Sequence, residues 1–386
     1  MKQAPPPALV ILAAGGTGGH MFPAEALART LQARGLRVAL VTDTRGGAFG
    51  DSLPDVEVHR IHAGRLGRDL MVRVRAVFDM GLGFFEARTL LGELRPAAVV
   101  GFGGYPSIPT VIAATMRKIP VVLHEQNALL GRANRRLASR ARVIATSFAH
   151  VARLPASTAA ATTGNPVRPG ILAVRERAYA KPEPDGPLSI FVMGGSQGAH
   201  VFAEVVPAAM ARLPASLKKR IRIVQQCRPE DLDETRAAFS QGGVQAELSS
   251  FFTDVPDRLA ACHLVISRSG ASTVAELGVA GRPAILVPYP FATDDHQAAN
   301  AESCAEGGGA WVIGQRAFTP ATLADRIETL MTMPDELARA AAAARASGLP
   351  DAASRLADLV IAQIGNREGG MGPFDSPQRR DMEAAA

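Results

Sequence analysis

Predominantly apolar runs of strand length recur along this chain, and each is followed by glycines or by a helical repeat. In the first half they cover residues 9–14, 38–42, 97–101, 121–124 and 143–146; in the second, 188–193, 221–225, 264–267 and 284–288. An uninterrupted apolar run predicts a strand covered on both faces, as in a parallel sheet. Between the first two runs Ala24, Leu27, Ala28 and Leu31 fall on one helical face, which completes a βαβ unit. Each half opens in the same way, with a strand, a glycine-rich turn and a helix. The stretch between them, 166–187, holds five prolines in 22 residues and reads as a linker. The Ala-rich stretch 335–363 predicts closing helix. The expected fold is therefore α/β, two Rossmann-like doubly wound domains facing a cleft. Residues 1–165 form the first domain and 188–349 the second, followed by a closing helix over 350–364 and a disordered tail over 365–386.

Composition fits this picture and removes some functions. With 386 residues, 47% apolar and 20% charged, the chain suits two globular domains. Cys227, Cys262 and Cys304 are far apart and form no CxxC pair, against a disulfide framework or a zinc site and in keeping with a reducing compartment. The apolar run near the N-terminus is too short to span a membrane and is soon followed by glycines, so it reads as a buried strand and the protein as soluble or peripheral. Net charge is +6 but uneven: residues 1–165 carry 20 Lys and Arg against 10 Asp and Glu, and the remainder carries 22 against 26. A basic first half points to an anionic partner. Aromatics are not interleaved with the basic positions, which disfavours nucleic acid.

Candidate chemistry collects after the strands. Gly15-Gly16-Thr17-Gly18-Gly19-His20 and Gly194-Gly195-Ser196-Gln197-Gly198 let backbone N–H groups approach an oxygen-rich ligand. The first is not a dinucleotide fingerprint, since His20 and Met21 stand where glycine is needed; Asp43, near the end of the second strand, keeps a dinucleotide enzyme open as an alternative. The segment Arg268-Ser269-Gly270-Ala271-Ser272-Thr273-Val274-Ala275-Glu276 follows a strand and opens a helix, a place suited to a diphosphate, with Glu276 within reach of ribose hydroxyls. His124-Glu125-Gln126-Asn127 and Asp294-Asp295-His296-Gln297 also lie past strand ends. Asp231-Leu232-Asp233 looks like a metal-binding DxD but reads as a solvated helical surface.

These motifs, with Gly101-Phe102-Gly103-Gly104-Tyr105-Pro106-Ser107 and Gly164-Asn165-Pro166-Val167-Arg168, resemble in order the MurG family of peptidoglycan N-acetylglucosaminyltransferases. The resemblance implies a GT-B fold and transfer of N-acetylglucosamine, with inversion, from UDP-N-acetylglucosamine to the 4-hydroxyl of N-acetylmuramic acid on lipid I, forming lipid II. It implies no metal or other cofactor. It places the donor on Thr17, Gly18, Gly19, Asn127, Arg168, Ser196, Ala271, Ser272, Thr273, Glu276 and Gln297, with the backbone of Phe252 facing uracil. Gly103, Gly104, Tyr105 and His124 would meet the acceptor, and His20 or Glu125 would act as the base. His296-Gln297 departs from a Gln-Gln pair in some members, which leaves open which of the two touches the sugar.

The family is peripheral at the cytoplasmic face of the bacterial inner membrane, and the resemblance extends to partners in wall synthesis. Residues 65–88 interleave Leu70, Met71, Val72, Val74, Val77, Phe78, Met80, Leu82, Phe84 and Phe85 with Arg65, Arg68, Arg73, Arg75 and Arg88, a composition suited to shallow insertion beside anionic headgroups. The competing readings are a UDP-N-acetylglucosamine 2-epimerase or glycolipid synthase of the same fold, and a non-catalytic protein of wall assembly.

Overall fold

Two parallel sheets carry the chain. The computed structural model describes residues 7–15, 18–43, 56–64, 70–195 and 198–368. The first sheet contains β1 (Leu9–Ala13), β2 (Arg37–Thr42), β3 (Glu57–Arg60), β4 (Ala98–Gly101), β5 (Val121–Glu125), β6 (Val143–Thr146) and β7 (Ala160–Thr162), in the order β3-β2-β1-β4-β5-β6-β7. The second contains β8 (Leu188–Met193), β9 (Ile221–Gln226), β10 (Gln245–Ser249), β11 (Leu264–Ser267), β12 (Ala284–Leu286) and β13 (Ala310–Val312), in the order β10-β9-β8-β11-β12-β13. Every pairing is parallel, and the strand order reverses beside β1 and β8, where doubly wound folds open a crevice at their carboxyl ends.

The register explains the continuous apolar runs. Leu12 of β1 lies level with Leu40 on one side and Val100 on the other, and Ile190 of β8 with Ile223 and Leu264. Successive residues serve opposite faces. Val10 and Leu12 pack with Leu27 and Leu31 of the helix Gly18–Ala33, while Ile11, Val99 and Leu123 pack beneath Ala87 and Leu91 of the helix Leu70–Leu94. Each such Val, Leu or Ile side chain, when fully buried, stabilises the fold by about 1.5–3 kcal/mol.

The last helix, Ala352–Glu368, returns to the first domain, where Leu356, Ala357 and Val360 join Val10 and Leu12. It continues past Gly365, where the sequence predicts the start of a tail; residues from 369 onward lie outside the described part. The Ala-rich stretch is two helices, Pro334–Ser347 and Ala352–Glu368, interrupted after Gly348, which lies so close to Gly278 that an added Cβ would fall 2.3 Å from its carbonyl oxygen. Part of the proline-rich 166–187 stretch is ordered structure of the second domain. Pro169 opens the helix Pro169–Arg175, whose Ile171 and Val174 are buried with Leu259 and Leu277. Its fixed φ and missing N–H suit that first helical position. Where the chain crosses between the sheets, Gly164 (φ +86) packs on the return crossing, and a Cβ there would lie 2.9 Å from those of Leu349 and Ala352.

Candidate functional site

The carboxyl ends of β1, β4 and β5 converge on a polar network centred on Gln126. Its Nε2 donates to the Phe102 carbonyl (3.0 Å) and lies 3.0 Å from His124 Nδ1, while its Oε1 faces His20 Nδ1 at 3.2 Å. His20 lies in the first turn of the helix Gly18–Ala33, half-buried, against the Gly103–Gly104 turn (φ +83 and +76). A Cβ built on Gly103 would sit 3.6 Å from His20 Cε1, and one on Gly104 would sit 3.6 Å from Cδ2. The positive φ at both positions favours glycine, and the turn lies in van der Waals range of the imidazole. Burial pushes the His20 pKa below its ordinary 6.5, partly offset by the Glu125 carboxylate and the Gln126 hydrogen bond.

Glu125 is anchored rather than poised. Its Oε1 accepts from the Asn127 backbone N (3.0 Å) and Nδ2 (3.1 Å), and its Oε2 accepts from Gly131 N (2.9 Å) and Asn134 Nδ2 (2.9 Å). Four donors on a carboxylate that is 2% exposed leave no lone pair directed at a substrate, and they pin the loop 126–131 to β5. The expectation that Glu125 is a base conflicts with this geometry. His124, expected to face the acceptor, is fully buried: its Nε2 meets the Gly164 carbonyl at 3.1 Å, its Nδ1 meets Gln126, and burial pushes its pKa down to about 4. It supports the site from behind. Tyr105 is half-buried against the core of the first domain.

Three contacts join this network to the second domain. Asn300, buried in the helix His296–Glu306, accepts from Ala128 N (2.8 Å) and donates to Asn127 Oδ1 (3.1 Å) and to the Ser269 carbonyl (3.0 Å). Arg132 makes a forked pair with Asp294, with Nη2 2.7 Å from Oδ1, and Arg153 approaches the same carboxylate at 3.5 Å. Arg168 holds Glu276 through two bonds of 2.8 and 2.9 Å, with its guanidinium 5.3 Å from the Phe22 ring centroid of the first domain. Arg168 and Glu276, both expected in the donor site, therefore occupy one place.

The helix Ala271–Ala280 starts at Gly270, which has no side-chain cap, so its first N–H groups are left for a ligand or water. Ala271, Ser272 and Thr273 are half-buried there, and Ser272 Oγ has no hydrogen-bond partner among the described residues. Gln297 Oε1 accepts from Tyr289 N (3.0 Å), and its carbonyl accepts from Ser269 Oγ (2.7 Å). His296 Nδ1 donates to the Thr293 carbonyl at 2.8 Å, and its ring is close enough to disfavour a proton on His20. The Phe252 side chain is buried edge-on to Phe191, leaving its backbone as the part that could meet a base. Gly18 and Gly19 open the helix that carries His20, whereas Thr17 and Ser196 lie outside the described residues.

Family models match both domains: the glycosyltransferase family 28 N-terminal domain over residues 10–146 and its C-terminal domain over 189–356. The chain is 57% identical over 98% of its length, and 99% of the relative's, to the UDP-N-acetylglucosamine--N-acetylmuramyl-(pentapeptide) pyrophosphoryl-undecaprenol N-acetylglucosamine transferase of Rhodospirillum centenum. It is 51% identical to the protein of the same name from Zymomonas mobilis, with 92% of each chain covered. A solved structure, MurG of Acinetobacter baumannii, superposes with a TM-score of 0.76 at 32% identity, covering 92% of this chain and 99% of that one. The chain belongs to the MurG family of glycosyltransferases. UDP-GlcNAc 2-epimerase from Neisseria meningitidis, at 14% identity and a TM-score of 0.64 over 92% of this chain and 99% of its own, shares the fold alone.

Sequence reasoning about this MurG-family chain missed Asn300, Asn134 and the Arg132–Asp294 pair. Their partners are far away in sequence, and a lone polar residue in a helix carries no mark of what it meets. It also misplaced the DxD: Asp231 is buried and bonded to His200 Nδ1 at 2.8 Å, while Asp233 is exposed beside Arg236. Among the described residues no cluster of His, Cys, Asp and Glu could hold a metal ion. Asp43, which a dinucleotide enzyme would use on a ribose, is buried at the end of β2.

Proposed function

We propose that this protein transfers N-acetylglucosamine from UDP-N-acetylglucosamine to the 4-hydroxyl of N-acetylmuramic acid on lipid I, giving lipid II and UDP. The observation that carries this is the joint itself. Asn300 and the Arg168–Glu276 pair bring His20 and the uncapped helix start at Ala271 to one cleft, in a chain related over nearly its whole length to transferases of that name.

In this reading the diphosphate lies at the helix Ala271–Ala280, whose N–H groups and dipole stabilise the charge that develops as UDP departs. Glu276, oriented by Arg168, accepts from the ribose hydroxyls. Gly18, Gly19, Asn127 and Gln297 complete the donor site, and the Gly103–Gly104 turn seats the acceptor beside His20. His20 takes the proton from the attacking hydroxyl as the new bond forms at the anomeric carbon and the bond to the diphosphate breaks from the opposite side. A pKa lowered by burial keeps the imidazole neutral, and so able to accept, at neutral pH.

The acceptor is membrane-bound, and the helix Leu70–Leu94 offers a surface for it. Met71, Val74, Val77, Phe78, Leu82 and Phe85 are exposed, with Arg75 and Arg88 alongside. Phe84, grouped with them from the sequence, packs against the core instead. Arg65 and Arg68 lie outside the described residues, and no helix among those described is long and apolar enough to cross a membrane. Contact of this face with anionic lipid would place the protein peripherally at the cytoplasmic side of the inner membrane, beside other proteins of wall synthesis. UDP release from UDP-N-acetylglucosamine, measured with and without a lipid I analogue, tests the reading. Release that needs the analogue and yields a disaccharide supports it, whereas release without acceptor points to hydrolysis or epimerisation and overturns it.

A further inference from the structure

We infer that Gln126 is a positioning residue that fixes the tautomer of His20 through a directional chain of hydrogen bonds beginning at the interdomain crossing; this deepens the assignment of His20 as the base and rests on it. The direction follows from groups that can only accept. The Gly164 carbonyl, 3.1 Å from His124 Nε2, requires the proton of neutral His124 to sit on Nε2. His124 Nδ1 is therefore a lone pair, and the Gln126 amide must present Nε2 to it at 3.0 Å. The Phe102 carbonyl, 3.0 Å from the same Nε2, and the His124 carbonyl, at 3.3 Å, impose the same orientation, because a flipped amide would set oxygen against both. Gln126 Oε1 then faces His20 Nδ1 at 3.2 Å, and an amide oxygen cannot donate. Nδ1 of His20 must carry the proton, which leaves the lone pair on Nε2.

That assignment matters for the transfer. A neutral imidazole takes a proton only through its unprotonated nitrogen, so a histidine free to change tautomer spends part of its time unable to act at the nitrogen facing the substrate. With the proton held on Nδ1, Nε2 is the accepting atom, and the imidazolium formed in the reaction keeps its Gln126 bond without reorganisation. The chain starts at Gly164, whose φ of +86 and close contact with Leu349 and Ala352 hold its carbonyl at the crossing between the domains.

The test is nitrogen NMR of protein carrying 15N-labelled histidine, with His20→Asn and His124→Asn used to assign resonances. The expected spectrum of the parent above the His20 pKa shows His20 protonated on Nδ1 and His124 on Nε2. His20 found as the Nε2–H tautomer overturns the inference, and this readout needs neither turnover nor a folded Gln126 variant. Gln126→Met is expected to give a mixture of His20 tautomers and to lower kcat about 10- to 100-fold with KM for UDP-N-acetylglucosamine nearly unchanged. A Gln126→Met variant that folds and still shows His20 wholly as the Nδ1–H tautomer counts against the chain. Near-parental turnover in His20→Asn would remove the base assignment while leaving the tautomer chain standing, so the two failures are distinguishable.

Discussion

Replacing Glu125 by glutamine separates an anchor from a base. The carboxylate is buried and accepts four hydrogen bonds, two from the Asn127 backbone and side chain and two from Gly131 N and Asn134 Nδ2. In Glu125→Gln one oxygen becomes an NH2 group, and either orientation of the amide points it at two of those four donors. A hydrogen bond to a charged acceptor contributes roughly 1.5–3 kcal/mol, so two lost bonds amount to about 3–6 kcal/mol. Asn134 Nδ2 also reaches the His124 carbonyl at 3.1 Å and keeps a partner, and removing a buried charge recovers some desolvation. The net expectation is a destabilisation of about 2–4 kcal/mol, felt in the first domain. For a domain of that size this lowers the thermal midpoint by roughly 5–10 °C, measurable by circular dichroism. Activity should fall through disorder of the loop 126–131, with KM for both substrates rising. A variant that kept the parent midpoint and the parent KM values while kcat fell a thousandfold or more would refute this reasoning and make Glu125 the base.

Three other outcomes follow from the same geometry. Asn300→Asp should impair turnover more than Asn300→Ala, because the new carboxylate would set oxygen against Asn127 Oδ1 and the Ser269 carbonyl, now 3.1 and 3.0 Å from Nδ2; steady-state kinetics of the pair checks the order. Stability should fall as pH drops from about 6.5 towards 4, since the unfolded chain then takes up a proton that native His124, with its pKa near 4, refuses. That single group accounts for on the order of 3 kcal/mol across the window, and half-buried His20 and His263 act in the same sense, whereas His200, raised by Asp231, opposes them; thermal midpoints that stay level or rise as the pH falls would contradict this. Finally, the double variant Phe78→Ser, Phe85→Ser should lose most of its cosedimentation with vesicles of anionic lipid, while Phe84→Ser should instead lower stability, because its ring packs inward.

The strands that sequence pattern found and those it missed divide along one physical line. Each of the nine runs became a central strand flanked on both sides, and all but β9, where Arg222 is exposed, are covered on both faces. The missed strands β3, β7, β10 and β13 are the four sheet edges. Glu57–Arg60 and Gln245–Ser249 are half-exposed, so burial imposes no apolar run on them, while Ala160–Thr162 and Ala310–Val312 are three residues each, too short to show a pattern. Helix breaks were hidden for a different reason. Gly348 separates the last two helices by a close approach to Gly278, which an Ala-rich pattern does not reveal.

Candidate residues could be picked from sequence because polar, chemically capable residues follow apolar strands, and among the described residues 101–107, 124–127 and 268–276 do stand at strand carboxyl ends or helix starts. Roles were harder, because the same pattern arises from two needs. A loop leaving a buried strand must satisfy its own backbone donors, and an acid or amide does this as readily as it does chemistry. The difference lies in how many hydrogen-bonding positions the fold has already filled. Glu125 has two oxygens and four donors upon them, His124 has both nitrogens engaged, and Gln126 is committed at both ends of its amide. His20 Nδ1 faces Gln126 Oε1 beside a turn whose positive φ suits glycine, and under the proposed function its other nitrogen is the one that acts. Within His124-Glu125-Gln126-Asn127, the hydrogen bonds already made therefore mark residues that hold the loop in place, and under the proposed function the chemistry belongs to His20.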